Sequence, residues 1–289
     1  MRKFLRLLYD AYLKFNQDDG WAIASYVALS ILTSLFPFLI FLTALAGFFG
    51  LEAEADAARK LLFEAWPESV AAPISREIRN VLTQPHGDLL TLGAVFAIYF
   101  SSTGVEALRV ALNRAYNLHE QRSWWWLRLE SILFVFLGAA SLLVIAIFLV
   151  FAPLARAIAQ RYVPLVVEEL QPLYEMVRYG VTTAVLAVAL FAAHKYLPAT
   201  RRTTAFIAPG LALTLLVSLA FGAGFGNYLA RFADSYISTY AGLASIMIAI
   251  VFLQLLAAIF IFGAELNQTV ATDGENGRQD HKKAGLSAP

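Results

Sequence analysis

The sequence predicts an all-α, polytopic integral membrane protein, and two observations support this fold class. Of the 289 residues, 59% are hydrophobic and 15% are charged, and the mean hydropathy of +0.64 is too high for a typical soluble protein. The apolar residues also fall into six stretches, each long enough to cross a bilayer as a helix. Because a helix satisfies its own backbone hydrogen bonds in lipid, six transmembrane helices are expected.

The predicted spans make up a transmembrane domain over residues 21–267. They cover about residues 21–50, 89–115, 131–152, 173–197, 206–230 and 241–265. Three further segments are an amphipathic helix on the cytoplasmic face (1–20), a periplasmic helical loop (51–88) and a disordered cytoplasmic tail (268–289). Residues 1–20 place apolar side chains on one helix face and basic side chains on the other, which is typical of a helix lying on a membrane surface.

The basic residues predict the orientation of the chain in the membrane. With six spans and a cytoplasmic N-terminus, 14 of the 22 lysines and arginines lie on the inner side. Cytoplasmic loops of membrane proteins carry an excess of basic residues. We therefore expect both termini in the cytoplasm.

The first predicted span contains a proline within a charge-free stretch. Pro37 has no N–H to donate to the carbonyl of Thr33, so the helix is expected to kink there. Ser30 and Ser34 lie on the turns just before it. Two interpretations stay open: packing absorbs the kink, or the segment forms one wall of a substrate or ion path.

The second predicted span carries a polar face that runs for several turns. Tyr99, Ser102, Glu106, Arg109 and Asn113 recur at three- and four-residue steps. Glu106 lies about 26 Å along this helix, close to the inner membrane face. The Glu106–Arg109 pair is therefore either an inner gate that coordinates anions or an interfacial pair whose arginine extends to the headgroups.

Two further polar features accompany the later spans. Gln254 lies in the middle of the sixth span, where its amide needs either a neighbouring helix or a solute as partner. Lys195, Arg201 and Arg202 follow the fourth span and are candidates for binding lipid phosphates.

Composition argues against several other classes of function. The chain has no cysteine, and its four histidines lack the spacing of metal ligands, so neither a metal nor another cofactor is expected. A net charge of +1 gives no support for nucleic-acid binding. The titratable candidates Glu106, His119, His194 and Glu265 are scattered, and Glu265 is interpreted as a solvated carboxylate at the end of the last span. The protein is therefore predicted not to be an enzyme.

Several separated motifs resemble the YihY/BrkB family of bacterial inner-membrane proteins, once called "ribonuclease BN". They are residues 24–26 (ASY), 34–37 (SLFP), 111–116 (ALNRAY), 195–198 (KYLP), 209–210 (PG), 240–243 (YAGL) and 263–267 (GAELN). The family's aromatic pair in the last span is replaced here by residues 252–255 (FLQL). The resemblance implies six helices in a bacterial inner membrane and a role in the cell envelope, in transport or in lipid handling, and it implies that the ribonuclease label is a misassignment.

The leading functional hypothesis is a transporter-like protein that moves or flips a small or amphiphilic solute. Its candidate substrate-path residues are Ser30, Ser34, Pro37, Tyr99, Ser102, Glu106, Arg109, Asn113 and Gln254. Its expected partners are membrane lipids and this solute, and a homo-oligomer is left open. The alternative is an envelope scaffold that transports nothing, and a membrane-embedded hydrolase or ribonuclease ranks third.

Overall fold

A computed structural model of the chain describes residues 2–48, 87–146, 170–240 and 244–286, with single positions at 148, 156, 160, 162 and 168. The predicted periplasmic loop lies outside these residues except for its last two. The described ranges form seven long helices and contain no strand. The helices are α1 (Arg2–Gln17), α2 (Gly20–Phe48), α3 (Gly87–Ala115), α4 (Trp124–Ala146), α5 (Gln171–Tyr196), α6 (Thr204–Tyr240) and α7 (Ala244–Leu286).

Among the described residues, five helices are long and apolar enough to span a membrane, which confirms the polytopic all-α class. Their spanning parts are Val95–Ala115, Trp124–Ile145, Gln171–Tyr196, Thr204–Leu229 and Ile246–Gly274. A shorter apolar helical stretch, Gly20–Leu35, belongs to α2, which contains Pro37 within its length.

The chain divides into two compact units. Unit 1 comprises Met1–Ser34, Thr103–Leu127 and Phe191–Pro289, and unit 2 comprises Leu35–Ser102 and Arg128–Leu190. In unit 1, α7 packs against both α1 and α6.

Helix α1 buries one face in the protein and exposes another apolar face. Ala11 is 0% exposed and Phe15 is 3% exposed, and the Phe15 ring meets the Phe262 ring of α7 with 6.3 Å between centroids. Four other apolar side chains of α1 are at least half exposed: Phe4, Leu5, Tyr9 and Tyr12. The buried stripe follows from packing on α7, and the exposed stripe suits the membrane interface.

Helix α7 continues to Leu286, whereas the sequence predicted a disordered tail from residue 268. Composition suggested disorder because this segment is polar. Its first part instead lies beside α1, where Lys3 pairs with Asp273 at 3.0 Å. This contact stabilises helical structure in the first part of the tail, where the polar composition alone does not favour it.

The crossing of α6 and α7 depends on two glycines. A Cβ atom on Gly210 would overlap the carbonyl oxygen of Gly263, and a Cβ on Gly263 would overlap the hydroxyl of Thr214. Thr214 is 1% exposed. Small residues let two transmembrane backbones approach this closely.

Candidate functional site

The chain reverses direction sharply after α3. Asn117 has a φ of 51°, in the left-handed region that asparagine tolerates better than most residues. The Leu118 N–H donates to the Asn113 carbonyl at 2.7 Å, and the Asn117 N–H donates to the Arg114 carbonyl at 3.0 Å. These two bonds form a Schellman cap, which satisfies carbonyls at the end of α3.

A buried hydrogen-bond chain joins three elements next to this cap. The Asn267 amide of α7 donates to the Tyr116 hydroxyl at 3.2 Å and accepts the Gly210 N–H of α6 at 2.6 Å. Asn267 is 0% exposed and Tyr116 is 1% exposed, and burial raises the pKa of the Tyr116 phenol. Motifs 111–116, 209–210 and 263–267 therefore meet at one place, which we call the motif junction.

Asn113 ties the loops to this junction. Its amide nitrogen donates to Glu120 Oε2 at 3.2 Å, and its amide oxygen accepts the Ala199 N–H at 2.7 Å. Arg122 donates to the Glu120 carboxylate through Nε at 2.9 Å and through Nη2 at 2.8 Å, and Nη2 also donates to the Leu197 carbonyl at 3.0 Å. Hydrogen bonds from Arg122 are the main reason that the pKa of Glu120 falls to about 2.

A buried ion pair lies at the same end of unit 1. The Lys14 ammonium is 2.8 Å from Glu265 Oε2, donates to the Ala115 carbonyl at 2.8 Å, and lies 3.8 Å from Asp18 Oδ2. The Glu265 side chain is 1% exposed. The interpretation of Glu265 as a solvated carboxylate is therefore wrong, because α1 covers it. We call Lys14, Asp18 and Glu265 the Lys14 cluster.

Unit 2 contains a separate polar group on the predicted polar face. Arg128 of α4 donates to the Ser102 hydroxyl of α3 at 2.7 Å, and its guanidinium lies 3.7 Å from the centre of the Tyr99 ring. Arg128 is 7% exposed and Ser102 is 0% exposed. We call these three residues the Arg128 group. Of these three residues, the sequence analysis singled out Tyr99 and Ser102 but not Arg128.

Two residues of the predicted path take part in helix packing. The Ser34 side chain lies against Gly104 of α3, where a Cβ on the glycine would come within 2.6 Å of the Ser34 hydroxyl. The Gln254 amide of α7 donates to the Ser25 hydroxyl of α2 at 3.0 Å, so its partner is a neighbouring helix.

The other path candidates are dispersed along the helices. Arg109 is 3% exposed and donates to the Leu127 carbonyl at 2.9 Å, so its side chain does not extend to the surface as an interfacial arginine would. Glu106 and Ser30 are partly buried, and Pro37 lies inside α2.

The predicted lipid-headgroup residues lie beside aromatic rings. Lys195 is 5.0 Å from the Phe191 ring centre, Arg201 is 5.8 Å from that of Tyr196, and Arg202 is 4.6 Å from that of Phe206. Arg201 is exposed and the other two are partly buried. Within the described ranges, no group of three or more His, Asp or Glu side chains is placed to hold a metal ion.

Comparisons with known proteins agree with the resemblance read from the motifs. A family model described as "Virulence factor BrkB" matches residues 11–286. The chain is 25% identical over 263 residues to the "Putative ribonuclease-like protein YfkH" of Bacillus subtilis (strain 168), covering 91% of this chain and 94% of that protein. No solved structure matches the chain.

Proposed function

Because the chain belongs to the family described as Virulence factor BrkB, we propose that it is a transporter-like protein of the bacterial inner membrane that moves or flips a small or amphiphilic solute. The observation that carries this proposal is the burial of Arg128. This arginine is 7% exposed within the apolar span Trp124–Ile145. Arg128 is the fifth residue of that span. A guanidinium keeps its charge at any physiological pH, and burying a charge away from water is costly unless it is paired and hydrogen-bonded.

The chemistry of the Arg128 group fits a solute that has an anionic and an apolar part. A guanidinium presents donors in a planar fork that matches carboxylate or phosphate groups. The Tyr99 ring lies over this cation and is itself 38% exposed, so an apolar surface adjoins the charge. The low dielectric of the span strengthens the attraction to an anion.

Cysteine labelling tests whether the Arg128 group ever meets water. The protein has no native cysteine, so single cysteines can replace Ser102 and, as a matched control, Ser131, both of which are 0% exposed. In a protein that opens a path, a membrane-impermeant maleimide labels position 102 and leaves position 131 unlabelled. Equal protection of both positions in membranes would contradict the proposal.

A reconstitution assay tests movement directly. Purified protein in vesicles is expected to expose a fluorescent anionic phospholipid of the inner leaflet to a membrane-impermeant quencher. Arg128→Gln should lose this activity, while Arg128→Lys, which keeps the charge, should retain part of it. Equal rates for wild type and Arg128→Gln would show that the arginine has a structural role only.

An envelope scaffold is the second candidate, because two predicted path residues serve packing. The Gln254–Ser25 bond and the Ser34–Gly104 contact hold helices together. A scaffold predicts that position 102 stays protected in the labelling experiment and that reconstituted protein moves no lipid.

Nucleic-acid turnover is the third candidate, and it comes from the name of the Bacillus relative. We rank it last because no base lies next to a nucleophile in the sites described above. Purified protein is expected to leave RNA intact. Turnover that Glu106→Gln or Glu265→Gln abolishes would reverse this ranking.

The inner-membrane location and the cytoplasmic termini belong to the same proposal. The basic residues on the predicted inner side support them, and Lys195, Arg201 and Arg202 would then meet anionic headgroups of the inner leaflet. Fluorescent-protein and phosphatase fusions at the C-terminus test the orientation, because the first is active only in the cytoplasm and the second only outside it.

A further inference from the structure

A groove separates α1 from the last part of α7, and we call it the α1–α7 groove. Its volume is about 570 Å³, which lies within the range of about 300–1,000 Å³ that is typical of small-molecule sites. All of its lining residues belong to unit 1. Those that matter for its chemistry are Arg6, Asp10 and Leu13 of α1 and Thr269, Thr272 and Asp273 of α7.

Two ion pairs hold the helices together on either side of the groove. The Lys14 ammonium lies 2.8 Å from Glu265, and the Lys3 ammonium lies 3.0 Å from Asp273. On the α7 wall between these pairs, the Thr269 and Thr272 hydroxyls donate to carbonyls of their own helix, at 2.8 Å and 3.0 Å. These short side chains therefore donate no hydrogen bond to α1, and the space between the helices stays open to a ligand.

The groove presents charges of both signs that are only weakly engaged. Arg6 is 79% exposed and lies 3.6 Å from Asp10, which is 43% exposed. Asp273 is 39% exposed, and its partner Lys3 is 78% exposed. Ion pairs as exposed as these contribute little to stability, so a charged ligand can exchange with them at low cost. The Lys14 ammonium is different, because it is already held by Glu265 and the Ala115 carbonyl.

The groove lies where a membrane-spanning helix ends. Its α7 wall falls within the last two turns of the spanning part Ile246–Gly274. On the α1 side, Leu13 lines the groove and is also 40% exposed, next to the exposed apolar stripe of that helix. Charged groups beside an apolar surface at the end of a span match the region of lipid headgroups.

We propose that the α1–α7 groove binds the headgroup of a phospholipid that carries both a phosphate and a primary ammonium, as phosphatidylethanolamine does. The Arg6 guanidinium donates to the phosphate, whose oxygens suit its planar fork. Asp10 and Asp273 accept hydrogen bonds from the ammonium, and Leu13 meets the apolar part of the lipid. The site contains no residue of the Arg128 group, so it does not depend on transport.

Native mass spectrometry of the full-length protein in detergent tests the choice of lipid. Phosphatidylethanolamine is compared with phosphatidylcholine of the same acyl chains, which has the same charges but no N–H on its ammonium. Phosphatidylethanolamine should bind about tenfold more tightly, the factor expected for one charge-assisted hydrogen bond. Phosphatidylglycerol, which has no ammonium, should also bind more weakly. Equal affinity for the three lipids would overturn the proposal.

Variants of the two walls test the location. Asp10→Asn and Asp273→Asn should each reduce the preference for phosphatidylethanolamine over phosphatidylcholine, whereas Arg6→Gln should weaken the binding of both lipids. Glu175→Gln is the control, because it changes an exposed carboxylate of α5 outside the groove and should leave the preference unchanged. An unchanged preference in both aspartate variants would overturn the proposal.

Filling the groove provides a test that does not alter charge. Thr272 is exposed on the α7 wall, so Thr272→Trp should fold and occupy the space of the headgroup. It should abolish the preference for phosphatidylethanolamine, and Thr272→Ser should retain it. A wild-type preference in Thr272→Trp, with an unchanged circular dichroism spectrum, would place the lipid elsewhere and overturn the proposal.

A soluble competitor distinguishes a lipid from a free headgroup. Glycerophosphoethanolamine has the same charged groups but no acyl chains, and at a concentration equal to that of the lipid it should not displace phosphatidylethanolamine. Displacement under these conditions would overturn the assignment to a lipid. Arg128→Gln, which should abolish lipid movement, should keep the lipid preference, so the two proposals can fail separately.

Discussion

Replacing Lys14 by methionine should destabilise the protein far more than removing a lysine from its surface. The substitution keeps an apolar stem but leaves the Glu265 carboxylate, 1% exposed, without its ammonium partner 2.8 Å away. Removing one partner of a buried ion pair typically costs about 3–5 kcal/mol. Lys14 is itself 23% exposed, so solvent screens part of the pair and a loss of about 3 kcal/mol is expected.

The chain offers a matched control for Lys14→Met on the same helix. Lys3 also pairs with a carboxylate of α7, Asp273 at 3.0 Å, but its side chain is 78% exposed. Surface pairs contribute about 0–1 kcal/mol, so Lys3→Met should change stability by less than about 1 kcal/mol. Both variants therefore remove a lysine–carboxylate pair between α1 and α7; the pairs differ in burial, and Lys14 also donates to the Ala115 carbonyl.

The assay is equilibrium unfolding in mixed micelles at pH 8, followed by circular dichroism. The double variant Lys14→Met/Glu265→Gln removes both charges and should recover about 2 kcal/mol of the loss, because no uncompensated charge stays buried. Equal losses for Lys14→Met and Lys3→Met, or no recovery in the double variant, would refute the reasoning.

Three further predictions concern the motif junction and its cap. Gly210→Ala should lower the free energy of unfolding by about 1–3 kcal/mol in the same assay, because the new methyl group forces α6 and α7 apart. Gly222→Ala is the control and should not destabilise the protein, because its methyl group would have no described atom within 4 Å. Asn117→Val should lower the free energy of unfolding by about 1–2 kcal/mol, because a β-branched residue disfavours the φ of 51° at this position, whereas Asn117→Gly should not lower it. Equal stability of the two variants would argue against the cap. Above a pH of about 4.3, Glu120→Gln should lower the free energy of unfolding relative to wild type. This difference should shrink as pH falls toward the Glu120 pKa of about 2, because the native state favours the ionised carboxylate and that preference is lost on protonation. A pH-independent difference would show that the Arg122 ion pair is not its cause.

The helices of this protein could be predicted closely because their signal is local. α2 extends over Gly20–Phe48, and the corresponding span was predicted at about 21–50. Long apolar stretches must be helical in lipid, whatever lies beside them. The tail was predicted less well, because polar composition does not show that α1 lies against the first part of it.

The candidate site could be predicted only in part. Tyr99 and Ser102 were found from helical periodicity, since both lie on the same helix. Their partner Arg128 was not found, because it lies on another helix and follows three tryptophans, a pattern typical of the membrane–water interface. Glu265 was misinterpreted for the same reason: a carboxylate at the end of a span is usually solvated, and nothing near it in the chain indicates a covering helix.

The sequence by itself determined that this chain lies in a membrane, that it is built of helices, and which family it belongs to. Hydrophobicity and helical period act over neighbouring residues and need no knowledge of the fold. The tertiary structure decided which polar groups are buried and what they meet. Lys14 and Glu265 are separated by most of the chain, and only the docking of α1 on α7 places their charges 2.8 Å apart. Because Glu265 is shielded from water there, the attraction between the two charges is stronger than at the protein surface.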